Sequence, residues 1–148
     1  MDENLFSLVG DVSRMARRAF DARAREIGVT RPQWQVLVML HRHEGVNQGG
    51  LAELLDVEPI TVCRMVDRLQ EADLVERRPD PADRRSWRLF LTGKAEDLLS
   101  QLRPLGEAME AQALSGISEQ ERAALVAALD RIRSNLAPRA SGKVVVHG

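Results

Sequence analysis

One cysteine in 148 residues leaves no partner for an intramolecular disulfide, so no covalent framework holds this chain together. No apolar run approaches the roughly 20 residues that span a bilayer, and the opening MDENLFSLVG carries acids rather than the basic segment of a secretory signal. The expectation is a cytosolic protein with no membrane partner. An excess of one charge is also missing: 21 Lys+Arg stand against 22 Asp+Glu, a net charge of -1, which argues against a nonspecific binder of polyanions. The three histidines have no cysteine or carboxylate cluster at ligand spacing, so no metal site is expected. Paired carboxylates, a nucleophile with its base and a phosphate-binding glycine loop are absent too. The chain therefore does not read as an enzyme and calls for no cofactor. Without repeats or low-complexity tracts, it reads as one domain over 1–148.

What is present is mostly helical periodicity. Leu5, Leu8, Val9, Val12, Met15, Ala16, Ala19 and Phe20 recur at helical spacing and predict a long amphipathic helix from Asn4. Its other side is rich in arginine. Either that side is solvated, with Asp11, Asp21 and Glu26 as partners, or Arg14, Arg17 or Arg18 lines a cleft for an anionic ligand. Gly28 ends the helix, and Thr30 with Gln33 forms a capping box that opens a second, with Pro32 in its first turn. Trp34 is expected in the core. His41 and His43 complement the helix dipole, or His41 hydrogen-bonds a small molecule. Asn47 caps a third helix softened by Gly49 and Gly50.

The central stretch, 51–92, carries the functional signal. Leu51, Ala52, Leu54, Leu55 and Val57 give one short helix a buried side, Asp56 to Pro59 makes a tight turn, and Pro59 opens the next helix. Val62, Val66 and Leu69 at i, i+4 and i+7 bury one face of that helix, and the other carries Thr61, Arg64 and Arg68. That face is either solvated, with Asp67 and Glu71 as partners, or laid in a DNA groove where it meets phosphates and base edges. Two strands are expected at Leu74–Arg78 and Trp87–Leu91. Between them two prolines and two aspartates build a turn with Arg84 and Arg85 at its tip, a shape suited to a minor groove. Arg77, Arg78, Arg84, Arg85 and Arg88 make this region locally basic. Arg68 and the Arg77–Arg78 pair are expected to hold phosphates.

Thr92 is placed to cap a helix carrying Leu98, Leu99, Leu102, Leu105 and Met109, which Pro104 should bend or split near Leu102. Ser115 to Ile117 breaks the chain, and a Ser118–Glu121 capping box starts a last helix through Leu125, Leu129, Ile132 and Leu136. Apolar stripes on the first and last helices suit pairing with a second copy. The tail, 138–148, is assigned no role.

The helix-turn-helix followed by DPADRRSWRLFLT resembles the MarR (multiple antibiotic resistance regulator) family of winged-helix transcription factors. The match is most specific at Val62, Arg64, Val66, Asp67, Leu69, Asp83, Arg85, Leu91 and Thr92. The resemblance implies a mainly α fold with a small β-hairpin wing. A winged helix-turn-helix region over 30–92 would be flanked by dimerisation helices over 4–27 and 93–137. It further implies a homodimeric repressor or activator, of which a repressor is the expectation here, and a two-fold pair predicts a pseudo-palindromic operator of double-stranded DNA. Ile60, Thr61 and Arg64 would read the major groove, Arg85 the minor groove, with Arg84 beside it and Asp83 bracing the wing. A small ligand, often an aromatic acid, would release the DNA, with Arg14, Arg17, Arg18 and His41 as candidate contacts. Three positions depart from the family's pattern: Glu58 stands where a Ser or Thr cap is common, Asp73 where glycine often follows the recognition helix, and Cys63 where a small hydroxyl residue is frequent. The alternative to ligand control is redox sensing through Cys63.

Overall fold

A computed structural model of the chain describes residues 4–138; beyond Pro138, the expected tail lies outside them. Among the described residues there are six α-helices and one two-stranded sheet: α1 Leu5–Arg25, α2 Arg31–Arg42, α3 Gln48–Leu55, α4 Pro59–Glu71, β1 Val75–Pro79, β2 Trp87–Leu91, α5 Gly93–Ala113 and α6 Glu119–Leu136. Two compact units divide after Glu110. The first holds the helix-turn-helix and its wing, and the second holds α6.

The core of the first unit follows from the apolar spacing. Val36, Leu37 and Leu40 of α2 meet Leu51 and Ala52 of α3, Val62, Val66 and Leu69 of α4, and Val75, Leu89 and Leu91 of the hairpin. Phe20 and Ala24 of α1 and Ala95, Leu99 and Leu102 of α5 complete the cluster. Burial of each large side chain contributes roughly 1.5–3 kcal/mol, so three per turn-pair fix α4 against α3 and leave its opposite side to solvent.

Local chemistry sets the ends of the elements. The Thr30–Gln33 box is formed, with Gln33 Oε1 accepting from Thr30 N at 2.9 Å, and Asn47 Oδ1 accepts from Gly50 N at 2.7 Å. In the second unit Ser118 and Glu121 make the reciprocal pair at 2.9 and 3.1 Å. Thr92 caps α5 through Ala95 N (3.1 Å) and also donates to the Asp73 carbonyl at 2.6 Å. α4 has no side-chain cap at Glu58. Its first residue is Pro59, which has no N–H to leave unpaired. Asp56 and Asp73 adopt the left-handed region, with φ of 55° and 62°, which aspartate tolerates better than most side chains because it can bond locally. The position where glycine was expected is therefore met by Asp73 with the same backbone shape.

Two expectations change. Pro104 does not split α5, which continues to Ala113. Pro104 and Ser100 are both exposed, so the carbonyl left without its helical donor faces the solvent side, while Leu99 and Leu102 before the proline and Leu105 after it stay packed on the core. The first strand begins one residue later than expected and ends at Pro79, opposite Trp87. A proline is accommodated at a strand end because no further ladder bond is required of it. A third segment also pairs with the hairpin. Gly45 N donates to Leu89 O and Leu89 N to Val46 O, both at 2.9 Å, so residues 45–47 flank β2.

Candidate nucleic-acid interface

Successive residues of a helix turn by about 100°, which sets Arg64 nearly opposite the buried Val62–Val66–Leu69 stripe of α4. Ile60, Thr61, Arg64 and Arg68 are all exposed. Ile60 is a large apolar group, 61% exposed on the first turn, a shape that suits contact with a thymine methyl. The wing tip is built from two short aspartate-capped turns. Asp80 Oδ1 accepts from Ala82 N at 2.8 Å and Asp83 Oδ1 from Arg85 N at 3.0 Å. Ser86 N donates back to Asp83 O at 3.0 Å. The loop is thereby closed on itself, and the Arg84 and Arg85 side chains point out of it, exposed. The side chains of Arg64, Arg68, Arg84 and Arg85 make no hydrogen bond or ion pair with other described residues.

Arg77 and Arg78, expected to hold phosphates as a pair, are turned to different surroundings. Neighbours in a strand project to opposite faces. Arg77 turns inward, beside Leu89, while Arg78 lies on the other face, opposite Arg88. The Arg77 side chain is 15% exposed and turned into the protein: it donates to Gln48 Oε1 (2.7 Å), Gln70 Oε1 (2.6 Å) and Cys63 O (3.4 Å), and pairs with Asp67 (2.7 Å). Four of its five N–H donors are thus engaged within the protein. Arg78 lies over the Phe90 ring at 4.0 Å and bonds Glu76 at 3.0 Å. That hydrogen bond, with the opposite charge behind it, holds Glu76 below and Arg78 above their ordinary pKa values. Cys63 is half-buried beside the same cluster, with Sγ 4.0 Å from Arg77 Nη2.

Sequence reasoning missed the surface between α4 and the wing, a cleft of about 510 Å³ lined by Gln48, Cys63, Asp67, Gln70, Arg77 and Trp87. Strand alternation puts Trp87 on the face of Leu89 and Leu91 and so predicts burial. The hairpin runs past the edge of the core, and Trp87 is 46% exposed.

A second cleft, about 560 Å³, opens between α1, α2 and α5. Phe20, Trp34, Leu102 and Met109 give it apolar walls, and Arg17, His41, Arg42 and Arg103 also line it. Of the expected ligand contacts, Arg17 and His41 are brought together here. Arg14 and Arg18 are not among the lining residues: Arg14 bonds Asp11 at 2.9 Å and Arg18 lies exposed elsewhere on α1. Arg42 and Arg103 were not foreseen, since only tertiary packing joins the end of α2 to the middle of α5. Trp34 forms part of the wall and is half-buried, edge-on to Phe20 at 4.8 Å, with its indole N–H donated to Asp21 at 2.7 Å. Asp21 is buried rather than a solvated partner, and also accepts from Arg31 Nε at 2.6 Å. Burial pushes its carboxyl up, but the bonds from Arg31 and Trp34 and the Arg31 charge outweigh this and hold it below the usual range.

Among the described residues no group of three His, Cys, Asp or Glu side chains is placed to hold a metal ion, and no helix is long and apolar enough to cross a membrane. A model of the MarR family matches residues 27–86. The HTH-type transcriptional regulator YybA of Bacillus subtilis (strain 168) is 28% identical over 128 residues, 86% of this chain and 85% of that protein. The crystal structure of transcriptional regulator PA3341 superposes with a TM-score of 0.79 at 33% identity, covering 90% of this chain and 98% of that one. A MarR family regulator from Silicibacter pomeroyi gives 0.77 at 27%, covering 90% of each chain.

Proposed function

This chain belongs to the MarR family of transcriptional regulators, and from that premise we propose that it acts as a homodimeric repressor on a pseudo-palindromic DNA operator. The reading treats 1–148 as one functional domain, with 30–92 meeting DNA in the cytoplasm and the flanking helices, 4–27 and 93–137, pairing two copies. The observation that carries it is the set of unpartnered, exposed arginines on α4 and the wing tip of an otherwise near-neutral chain. Arg64, with Ile60 and Thr61, reads the major groove, and Arg68 holds a phosphate. Arg85, beside Arg84 and braced by Asp83, enters the minor groove. Two-fold pairing sets the half-site centres about one turn, roughly 10 base pairs, apart.

The effector we propose is a small aromatic anion seated between α1, α2 and α5. Supporting this, Trp34 and Phe20 offer ring contacts in a cleft whose lining includes the cations Arg17, Arg42 and Arg103, together with His41. Such a ligand releases DNA only if it binds the released dimer more tightly than the bound one.

Selection of bound fragments from random duplex DNA, with and without a panel of aromatic acids, tests both parts. Enrichment of two-fold symmetric sites is expected, reduced by at least one acid. Arg85→Ala should then weaken operator binding by ~1–3 kcal/mol with dimerisation unchanged, and binding should fall steeply with salt. Wild-type and mutant affinities that agree at every salt concentration would remove Arg85, and the minor-groove contact with it.

A further inference from the structure

Arg77 uses a guanidinium on the wing to grip two other elements at once. Its Nε meets Gln48 at the start of α3, and its two terminal nitrogens meet Gln70, Cys63 O and Asp67, spread over α4 from its second turn to its last. Only a planar fork with donors at fixed angles can reach four acceptors in this way; an ammonium is a single point charge on a flexible stem. The hairpin itself projects past the core, with Trp87 exposed where the strands give way to the tip loop. Buried apolar contact ties the hairpin to α4 only as far as Leu89, and this cluster is the polar bracket that carries the contact on toward the wing tip.

The spacing matters because a major groove and the minor groove next to it are divided by one sugar-phosphate strand. A protein that fills both must straddle that strand, and the cleft between α4 and the wing is where it would pass. Asp67 lies in that cleft, half-exposed, and would repel a phosphate if its charge were not paired with Arg77 at 2.7 Å. We infer that Arg77 is a positioning residue for operator binding: without touching DNA, it sets the gap between recognition helix and wing so that both enter adjacent grooves together. The inference rests on the DNA-binding reading above.

The test compares Arg77→Gln and Arg77→Lys with Arg85→Ala. Affinity is measured on the selected operator and on random duplex of equal length across a salt series. Acrylamide quenching of Trp87, the more exposed of the two tryptophans, is followed in DNA-free protein. Both Arg77 variants should lose operator affinity about tenfold or more, the scale of one or two charge-assisted hydrogen bonds. Random-duplex affinity and the salt slope should stay as in wild type, and Trp87 quenching should rise. Gln70→Ala, an exposed truncation that leaves the core intact, should show the same signature at smaller size. A slope reduced by about two counterions per dimer, with equal loss on random duplex, would mean direct phosphate contact. That result, or wild-type operator affinity in both Arg77 variants, overturns the inference. If wild-type protein selects no duplex at all, the DNA reading fails. Unchanged Trp87 quenching would then dispose of the bracket separately.

Discussion

At the scale of single residues, chemistry that depends on a neighbour close in sequence was legible, and chemistry that depends on a fold was not. The arginines at 64 and 85 could be picked out because a helical stripe and a Pro/Asp turn say which side chains must face outward. Asp21 could not, because Arg31 and Trp34 reach it only once α1 and α2 are packed. Its environment makes a prediction with a sign. The folded carboxyl is held below its ordinary value, so the unfolded chain binds the proton more tightly. The stabilisation is fully present above the unfolded value of about 4 and is lost as pH falls through the folded one. Asp21→Asn keeps an acceptor for Trp34 but loses the ion pair with Arg31, and should cost ~1–3 kcal/mol at neutral pH. Urea unfolding of the two proteins at pH 7 and pH ~3 reads this directly: the gap should narrow in acid, and a gap of constant size would mean that Asp21 is not the group being titrated.

At the scale of elements, the capping boxes at Thr30 and Ser118 and the cap at Asn47 were visible because each needs only residues three apart. The pairing of residues 45–47 with β2 joins segments more than forty positions apart and has no local pattern to announce it. Pro104, expected to bend or split its helix, shows the opposite case: α5 is not split, and the bond the proline removes lies on its exposed side. The recognition helix α4 is the one whose weakness was read from sequence and is present in the structure. Glu58 has extended backbone angles, φ -67° and ψ 146°, as a cap position requires, yet its side chain accepts no bond from the first turn. Glu58→Ser supplies a short acceptor there and should raise stability by ~0.5–1 kcal/mol, seen as a higher urea midpoint at unchanged slope. No gain, or a loss, would show that interaction of the glutamate with the helix dipole already serves as well as a cap.

At the scale of the whole molecule, the residues that the helical stripe of α1 would bury are in large part uncovered. Leu5, Leu8, Val9, Val12 and Met15 are exposed, Val12 to 58% and Met15 to 64%. The periodicity was read correctly, and these residues are nonetheless exposed among the described ones. An exposed apolar patch of this kind marks an interaction surface, and a second copy is the occupant that the reading of a symmetric operator requires. In a two-fold interface a substitution is felt twice. Val12→Asp would set two carboxylates into the apolar contact without partners, at a cost of several kcal/mol. Dimer dissociation should strengthen by at least about a hundredfold, since each 1.4 kcal/mol is tenfold. Operator affinity should fall with it, because the second half-site is engaged at high effective concentration only while the subunits stay joined. The monomer should keep its wing and recognition helix, whose core lies elsewhere, so binding to an isolated half-site should change little. Sedimentation at micromolar concentrations and titration of full and half operators separate these outcomes: a Val12→Asp protein that remains dimeric with wild-type operator affinity would place the subunit contact off α1.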